Sequence, residues 1–246
     1  MKLAILTDIH ANREAFEACL ADAERRGAQR LVLLGDIVGY GADPAWAVLR
    51  TMELANAGAI VIKGNHDEAA VIDRGGMTTE AALAAAWTRS VLDVEAKSFL
   101  EALPLEAEED DRLYVHADVT EPAKWRYVRD AEDARAGLDA TQARIVLCGH
   151  VHVPSLYGLT AAAKLVSFRP VADVAVPLMR PRRWLAVLGA VGQPRDGEPA
   201  AAYAILDTAS SELTTVRVPY DIAGAAGKII RAGLPDRLAA RLYQGR

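Results

Sequence analysis

The chain has 246 residues, a formal net charge of −5 at pH 7 and 52% hydrophobic residues. This length suits one α/β domain spanning residues 1–246, and the acidic charge argues against general nucleic-acid binding. No apolar run is long enough to cross a bilayer, so no membrane association is expected. Met1 and Lys2 lead directly into a strand and leave no room for a signal peptide, which predicts a cytoplasmic protein.

The first part of the chain alternates strands with helices. Apolar runs indicate the strands, while Asn12 and the Asp43-Pro44 pair mark helix starts. The predicted order is strand 3–7, helix 13–26, strand 31–34, helix 43–57 and strand 59–62. Apolar strands joined by helices are typical of a parallel sheet with right-handed crossovers.

The remaining elements change character near residue 150. Helices are predicted at 68–73, 79–90, 93–103 and 130–138, strands at 112–115 and 145–148, and a solvated turn at the acidic run 106–111. Strands at 155–158, 164–168, 184–188, 202–206 and 213–218 follow, then closing helices at 221–232 and 235–243. Prolines make 171–183 irregular. A βαβ-type half at about 1–150 and a β-rich half at about 151–246 suggest two sheets in one domain.

All five histidines follow an apolar, strand-like run, and none falls in a predicted helix: they are His10, His66, His116, His150 and His152. Side chains at the carboxyl ends of parallel strands meet at one edge of a sheet. Two pairs, Asp8-x-His10 and His150-x-His152, have one residue between them. In an extended chain such residues share a face, so each pair is expected to direct two ligands at one point.

Oxygen and imidazole ligands without a thiolate suit a transition metal better than an all-oxygen magnesium or calcium site. The candidates are Asp8, His10, Asp36, Asn65, His116, His150 and His152. These side chains are too many for one ion and fit two ions with one bridging carboxylate. The expected ions are manganese first, with iron, zinc, nickel or cobalt as alternatives. Reading Asp8, Asp36 and Asn65 as mere cap and turn residues is disfavoured, because it leaves the histidine pattern unexplained.

The ordered motifs resemble those of the calcineurin-like metallophosphoesterases, with a spacing most similar to the small bacterial and archaeal phosphodiesterase branch. They are Asp8-x-His10, Gly35-Asp36, Gly64-Asn65-His66-Asp67, His116 and Gly149-His150-x-His152, and residues 192–197 extend the likeness. The resemblance implies a four-layer α/β sandwich in which helices flank two mixed β-sheets.

The resemblance also implies a role for each site residue. One metal would be held by Asp8, His10, Asp36 and His152. The other would be held by Asp36, Asn65, His116 and His150, with Asp36 bridging. His66 would face the substrate as general acid, oriented by Asp67. A metal-bound hydroxide would attack the phosphorus in line.

Some residues depart from the family pattern or have two readings. The loop after Asp36 lacks the phosphate-clamping arginine of the superfamily's protein phosphatases, and Ala117-Asp118 replaces the usual Gly-Ser-Pro. Arg195 is a candidate phosphate ligand or a surface turn residue, and Tyr40 stacks on a substrate or simply packs. For residues 125–127 a packed aromatic loop is favoured over a pocket wall. Loops 39–43, 117–129 and 171–183 are expected to shape the pocket.

The motifs favour a dinuclear-metal phosphodiesterase acting on a small or nucleotide-type phosphoester. Dinucleoside polyphosphate hydrolysis, phosphomonoester hydrolysis and protein phosphatase activity are alternatives within the enzymes, although the missing arginine disfavours the last. A rival of another class is a catalytically weak metal-binding scaffold for protein interactions. Such scaffolds tend to lose the catalytic histidine, so the presence of His66 favours the enzyme.

Overall fold

The computed structural model describes residues 1–73 and 75–246 of the chain. The strands are β1 (Lys2–Leu6), β2 (Arg30–Leu33), β3 (Ile60–Val61), β4 (Glu106–Glu109), β5 (Arg112–Val115), β6 (Ile145–Cys148), β7 (Ser155–Thr160), β8 (Leu165–Phe168), β9 (Ala175–Pro177), β10 (Arg182–Val187), β11 (Ala201–Asp207) and β12 (Glu212–Val218). The helices are α1 (Arg13–Arg25), α2 (Pro44–Asn56), α3 (Asn65–Ala69), α4 (Thr79–Val91), α5 (Val94–Ala102), α6 (Ala131–Asp139), α7 (Ile222–Arg231) and α8 (Asp236–Gln244), with a 3₁₀ turn at Pro122–Lys124.

These strands form two six-stranded mixed sheets. The first has the order β3-β2-β1-β11-β12-β9 and the second β4-β5-β6-β10-β7-β8. Strands β1, β2 and β3 run parallel, as predicted, and β11 pairs antiparallel with β1. The first sheet takes strands from both ends of the chain. The predicted change from a βαβ-type half to a β-rich half near residue 150 therefore does not coincide with the boundary between the two sheets.

Apolar side chains fill three layers between and around the sheets. Residues such as Leu3, Ile5 and Tyr114 are fully buried between the two sheets. Helices α1, α2 and α5 cover the outer face of the first sheet, and α6 covers the second. A smaller apolar cluster joins α4 to α7 and α8. The predicted four-layer arrangement in a single domain is therefore confirmed.

Most predicted elements form within one or two residues of their expected bounds. The start of α1 shows the reason: Asn12 Oδ1 accepts a hydrogen bond from the Ala15 amide at 3.2 Å, as an N-cap residue should. Its apolar stripe is also placed as expected, since Phe16, Cys19 and Ala23 are buried against the first sheet.

Three local predictions are wrong. The acidic run after residue 105 forms β4, because an edge strand exposes alternate side chains and tolerates their charge. The helix expected at 68–73 begins at Asn65 instead, so His66 lies in a helix. The segment 171–183 contains β9 and includes Leu178, which is buried between the sheets.

Within residues 1–73 and 75–246, no helix has both the length and the apolar character needed to cross a bilayer.

Candidate metal centre

The predicted ligands converge at one end of the two sheets. Those after β1, β2 and β3 come from the first sheet, and those after β5 and β6 come from the second. Six of the seven predicted ligands are buried and Asn65 is half-buried. Such a concentration of buried polar groups requires partners, and their hydrogen bonds show how each group is oriented.

Three histidines are oriented in the same way. The Nδ1 atoms of His10, His116 and His152 lie 3.2, 2.7 and 2.6 Å from the backbone carbonyl oxygens of Val38, Leu34 and Gln193. A carbonyl only accepts, so each Nδ1 carries the proton. Each Nε2 therefore points away from its carbonyl and is the ring atom left to bind a metal, which it does once it carries no proton.

These Nε2 atoms meet two carboxylates. Nε2 of His152 is 3.1 Å from Asp8 Oδ1, and Nε2 of His116 is 3.4 Å from Asp36 Oδ2. Nε2 of His10 lies 3.7 Å from Asp36 Oδ2 and 3.2 Å from Nε2 of His152. Asp8 Oδ1 is buried and has no hydrogen-bond donor in the described part of the chain. Imidazole nitrogens this close to one another and to a carboxylate oxygen without a donor form an arrangement that suits a bound cation.

The ligand atoms fall into groups small enough to surround an ion. Within each group they lie no more than 4.8 Å apart, and the groups are Asp8, His10 and His152; Asp36, His116 and His150; and His10, Asp36 and His66. Each of the first two contains three of the four ligands that the family resemblance implies for one metal. The third group shows that His66 also lies close enough to His10 and Asp36 to be a metal ligand, as judged by distance alone.

His150 is oriented differently from the other histidines. Its Nε2 lies 2.9 Å from the carbonyl oxygen of Trp125, so Nε2 donates and Nδ1 is left for a metal. Asn65 Oδ1 lies 3.2 Å from Nε2 of His116, which places the amide beside the same group. The group of Asp36, His116 and His150 therefore offers Nε2 of one histidine and Nδ1 of the other to an ion.

The buried carboxylates and histidines of the centre change one another's pKa values. Burial opposes ionisation of Asp8 and Asp36, but neighbouring histidines outweigh it and hold both pKa values below their usual range. Burial also opposes a charged His116, but Asp36 and Asp8 raise its pKa to about 9. The negative charge that attracts this proton is equally suited to a divalent cation.

Several site residues have backbone conformations that side chains rarely adopt. The φ angles are 53° at Asp8, 51° at His10, 50° at Asp36, 65° at His150 and 63° at His152. Such left-handed conformations cost energy and cluster at functional sites. The pairs are therefore not extended as predicted. His150 and His152 fall in different ligand groups, so the expectation that this pair converges on one point is wrong.

Gly149 is required by close packing beside the site. A Cβ at this position would lie 2.0 Å from Thr7 Oγ1 and 2.6 Å from Asp8 Oδ2. The absence of a side chain lets the next residue approach, and the His150 amide donates to Asp8 Oδ2 at 3.0 Å. The glycine thus lets the loop after β6 dock on the loop after β1.

Asp67 does not orient the His66 ring directly, so that prediction is wrong. Its carboxylate accepts backbone N–H bonds from Ile37 at 2.8 Å, Val38 at 3.2 Å and Gly64 at 2.9 Å. His66 Nδ1 is buried without a hydrogen-bond partner in the described part of the chain. Asp67 instead ties the start of α3 to the loop after β2, and acts on His66 through the backbone.

Tyr40 and Arg195 lie together at the edge of the centre. The Tyr40 ring centroid is 4.6 Å from that of His10 and 4.3 Å from that of His66. Arg195 Nη2 is 3.4 Å from the Tyr40 hydroxyl, and the Arg195 amide donates to the His152 carbonyl at 3.3 Å. Arg195 is half-buried, so its guanidinium is held close to the ligands.

A cavity of about 420 Å³ opens from the metal centre. Asn65, His66 and His150 line it on the side of the ligands, and α3, α4 and the segment around the 3₁₀ turn complete its wall. Trp125 and Tyr127 belong to this wall, so the packed-loop reading of residues 125–127 is wrong for both. Residues 171–183 do not line it, contrary to expectation, and the contribution of α4 was not predicted.

The fold and the ligand set define a metallophosphoesterase. The chain belongs to the calcineurin-like phosphoesterase superfamily, whose domain model matches residues 1–211. An uncharacterized protein of Methanocaldococcus jannaschii is 33% identical over 253 residues, covering 99% of this chain and 98% of that protein.

Solved structures agree with this assignment. A metallophosphoesterase from Sphaerobacter thermophilus superimposes with a TM-score of 0.88 at 34% identity, covering 100% of this chain and 99% of that one. A hypothetical protein from Pyrococcus horikoshii shares the fold at a TM-score of 0.80 and 19% identity, covering 100% and 98%. The family predicted from the motifs is confirmed.

Proposed function

We propose that this protein is a phosphodiesterase that uses two divalent metal ions to hydrolyse a small or nucleotide-type phosphoester. The observation that carries the proposal is the convergence of three histidine Nε2 atoms on Asp8 and Asp36 at the mouth of a cavity. A buried cluster of this composition has no purely structural use, because each of its polar groups costs desolvation energy.

The proposed ligands are divided between the ions as the family pattern implies. One ion is assigned to Asp8, His10, Asp36 and His152, and the other to Asp36, Asn65, His116 and His150. When bound, two such ions neutralise phosphoryl charge and activate a water at neutral pH. Manganese is the proposed ion because mixed oxygen and imidazole ligands suit it, with iron, zinc, nickel or cobalt as alternatives.

His66 is proposed to protonate the departing oxygen. It lines the cavity and is packed between Tyr40 and His10. Burial lowers the pKa of His66 to about 4; the Asp36 carboxylate opposes this shift, whereas the Arg195 guanidinium adds to it. An anionic phosphoryl group beside the ring favours the imidazolium, so the substrate itself raises the pKa towards the working pH.

Arg195 and Tyr40 are proposed to contact the substrate beside His66. The guanidinium is held by the Gln193 side chain at 3.0 Å and lies over the Tyr40 ring, 5.7 Å from its centroid. A cation in this position attracts a non-bridging phosphoryl oxygen. Arg195 thus supplies one positive charge, which matches the single negative charge of a phosphodiester.

A diester is favoured over a phosphoprotein for two reasons. The loop Ile37–Gly41 has no arginine to clamp the second charge of a phosphomonoester. The cavity beside His66 also provides room for an organic group esterified to phosphorus.

The test is hydrolysis of matched diesters and monoesters of p-nitrophenol and phenol by the purified, manganese-loaded protein, beside His66→Ala. Diester turnover should exceed monoester turnover. His66→Ala should lower phenyl ester turnover by about a hundredfold, the usual weight of a positioned general acid. The loss should be smaller with p-nitrophenol, because a better leaving group needs less help from an acid.

Metal content separates the roles of the histidines. His66→Ala should keep both ions, whereas His152→Ala should bind fewer ions and lose turnover for that reason. Loss of metal in His66→Ala would make His66 a ligand. Absence of turnover in protein that holds two ions would favour the scaffold reading instead.

A further inference from the structure

We propose that the cavity beside His66 is a subsite for the nucleoside portion of the substrate, recognised as a planar aromatic ring. The inference rests on the proposed function, because the subsite is defined by its position next to the phosphoryl site. Its volume of about 420 Å³ lies in the range of roughly 300–1,000 Å³ that small-molecule sites occupy. A phosphate carrying only a small alkyl group would leave most of this space to water.

One part of the cavity wall is a smooth apolar surface. Helix α4 contributes Ala81, Ala82 and Ala85, three positions that lie on neighbouring turns of one helix face, and α3 adds Ala69. Ala82 is exposed, whereas Ala81 and Ala85 are buried beneath this part of the wall, and no alanine projects beyond its methyl group, so a flat ring can approach it closely. Longer residues at these positions would fill the cavity.

Another part of the wall is aromatic and held in place. The Trp125 indole donates to Glu68 Oε2 at 3.0 Å, and the Trp125 carbonyl accepts from His150. Trp125 keeps a left-handed backbone with φ of 54°, a conformation that bulky residues avoid. Bases stack on aromatic side chains with a gain of about 1–3 kcal/mol each. The same residue thus positions a metal-ligand histidine and offers a ring to the cavity.

Tyr127 contributes its edge and not its face. One face stacks on His150, with ring centroids 4.0 Å apart, and the Arg129 guanidinium covers the ring at 4.1 Å. Trp125 is therefore the aromatic side chain proposed to stack with the ligand.

Polar groups in the lining favour a nucleoside over an alkyl chain. Thr78, Lys124 and Asn65 also line the cavity and offer donors and acceptors at its boundary. A nucleoside has apolar faces and hydrogen-bonding edges and pairs with both kinds of wall. A hydrocarbon chain would desolvate these polar groups without replacing their hydrogen bonds.

The wall is anchored, so the cavity is a built feature of the fold. The Arg89 guanidinium of α4 donates to the Ala69 carbonyl of α3 and to Asp73 Oδ2 at 3.2 Å. These bonds hold the alanine face of α4 against the short helix that carries His66. A ring bound on this face would therefore lie at a fixed distance from His66 and the phosphoryl site.

The test measures the affinity of the manganese-loaded protein for AMP, hexyl phosphate and inorganic phosphate by titration calorimetry. AMP should bind at least tenfold more tightly than phosphate and more tightly than hexyl phosphate. In Ala82→Phe the ratio of AMP affinity to phosphate affinity should fall at least tenfold. Ala86→Phe is the matched control: Ala86 is exposed on the same helix outside the cavity lining, and the ratio should not change.

Each other outcome overturns the subsite. Equal affinities for AMP and phosphate would show that the cavity does not contribute to binding. If hexyl phosphate bound as tightly as AMP, the cavity would be a site for an alkyl group and not for a planar ring. An unchanged ratio in folded Ala82→Phe would place the nucleoside elsewhere. Selective AMP binding without phosphoester hydrolysis would retain the subsite and refute the proposed function, so the two failures are distinguishable.

Discussion

The two sides of the catalytic cleft are built in different ways. On the ligand side, carboxylates and imidazoles are buried, and backbone carbonyls orient the imidazole rings. Several of these residues lie in loops and have left-handed backbone conformations. On the cavity side, α4 presents methyl groups on an ordinary right-handed helix. Substitution on the first side should disturb ion binding and fold together, whereas substitution of an exposed residue on the second, such as Ala82, should mainly change the shape of the cavity. Under the proposed function, chemistry and substrate choice would be carried by separate parts of the molecule.

Asp36→Asn is the strongest test of the ligand side. A neutral amide bridges two cations poorly, so both ions should be lost or weakened. We expect activity to fall by more than the roughly 10–100-fold that loss of an outer hydrogen-bond partner costs. Metal analysis and diester turnover measure the effect. Two tightly bound ions with full activity would remove Asp36 from the bridging position.

Gly149→Ala tests whether packing on the ligand side is as tight as the structure indicates. The added methyl group overlaps Thr7 Oγ1 and Asp8 Oδ2, so stability should fall by about 1–3 kcal/mol and metal affinity should fall with it. Thermal unfolding and metal titration are the measurements. The matched control is Gly227→Ala in α7, where the nearest atom is the flexible end of Arg231 at 3.1 Å. Equal behaviour of the two variants would contradict the distinction.

Trp125→Phe is the mildest change and addresses the cavity side. It retains a ring but loses the hydrogen bond to the half-buried Glu68 carboxylate, a charged acceptor, for which the net contribution is about 1.5 kcal/mol. We expect full metal content, a small loss of stability in denaturant unfolding and a few-fold weaker preference for AMP over phosphate. A loss of metal would show instead that Trp125 acts through His150, and the separation of the two sides would fail.

The convergence of the candidate ligands could be predicted from the sequence, because few residue types bind metals and these residues follow apolar runs in order. His116 illustrates this: its strand was predicted with the observed bounds, and its place at the strand end brings it to Asp36. The use of Nδ1 by His150 was not predictable, because it depends on the Trp125 carbonyl, which comes from a distant loop. The role of Asp67 was misassigned because adjacency in sequence does not imply contact between side chains.

The cavity side was missed for a physical reason. Alanines at 81, 82 and 85 have the same helical propensity whether they face solvent, core or a cavity, so nothing local distinguishes them. Segment 171–183 was misplaced for the converse reason, because its prolines are compatible with an edge strand as well as with a loop. Shape depends on which elements pack together, and that information is not local.

The loops that carry the ligands are joined by their own backbones. Asp8 and His10 donate to the carbonyls of Gly35 and Asp36, while Val191 and Gly192 donate to those of Thr7 and Asp8. These bonds order the loops through the chain itself, in contrast to small domains that fold only when a metal binds. We therefore expect ion uptake to lose little conformational entropy, so that one divalent ion could replace another without refolding the protein.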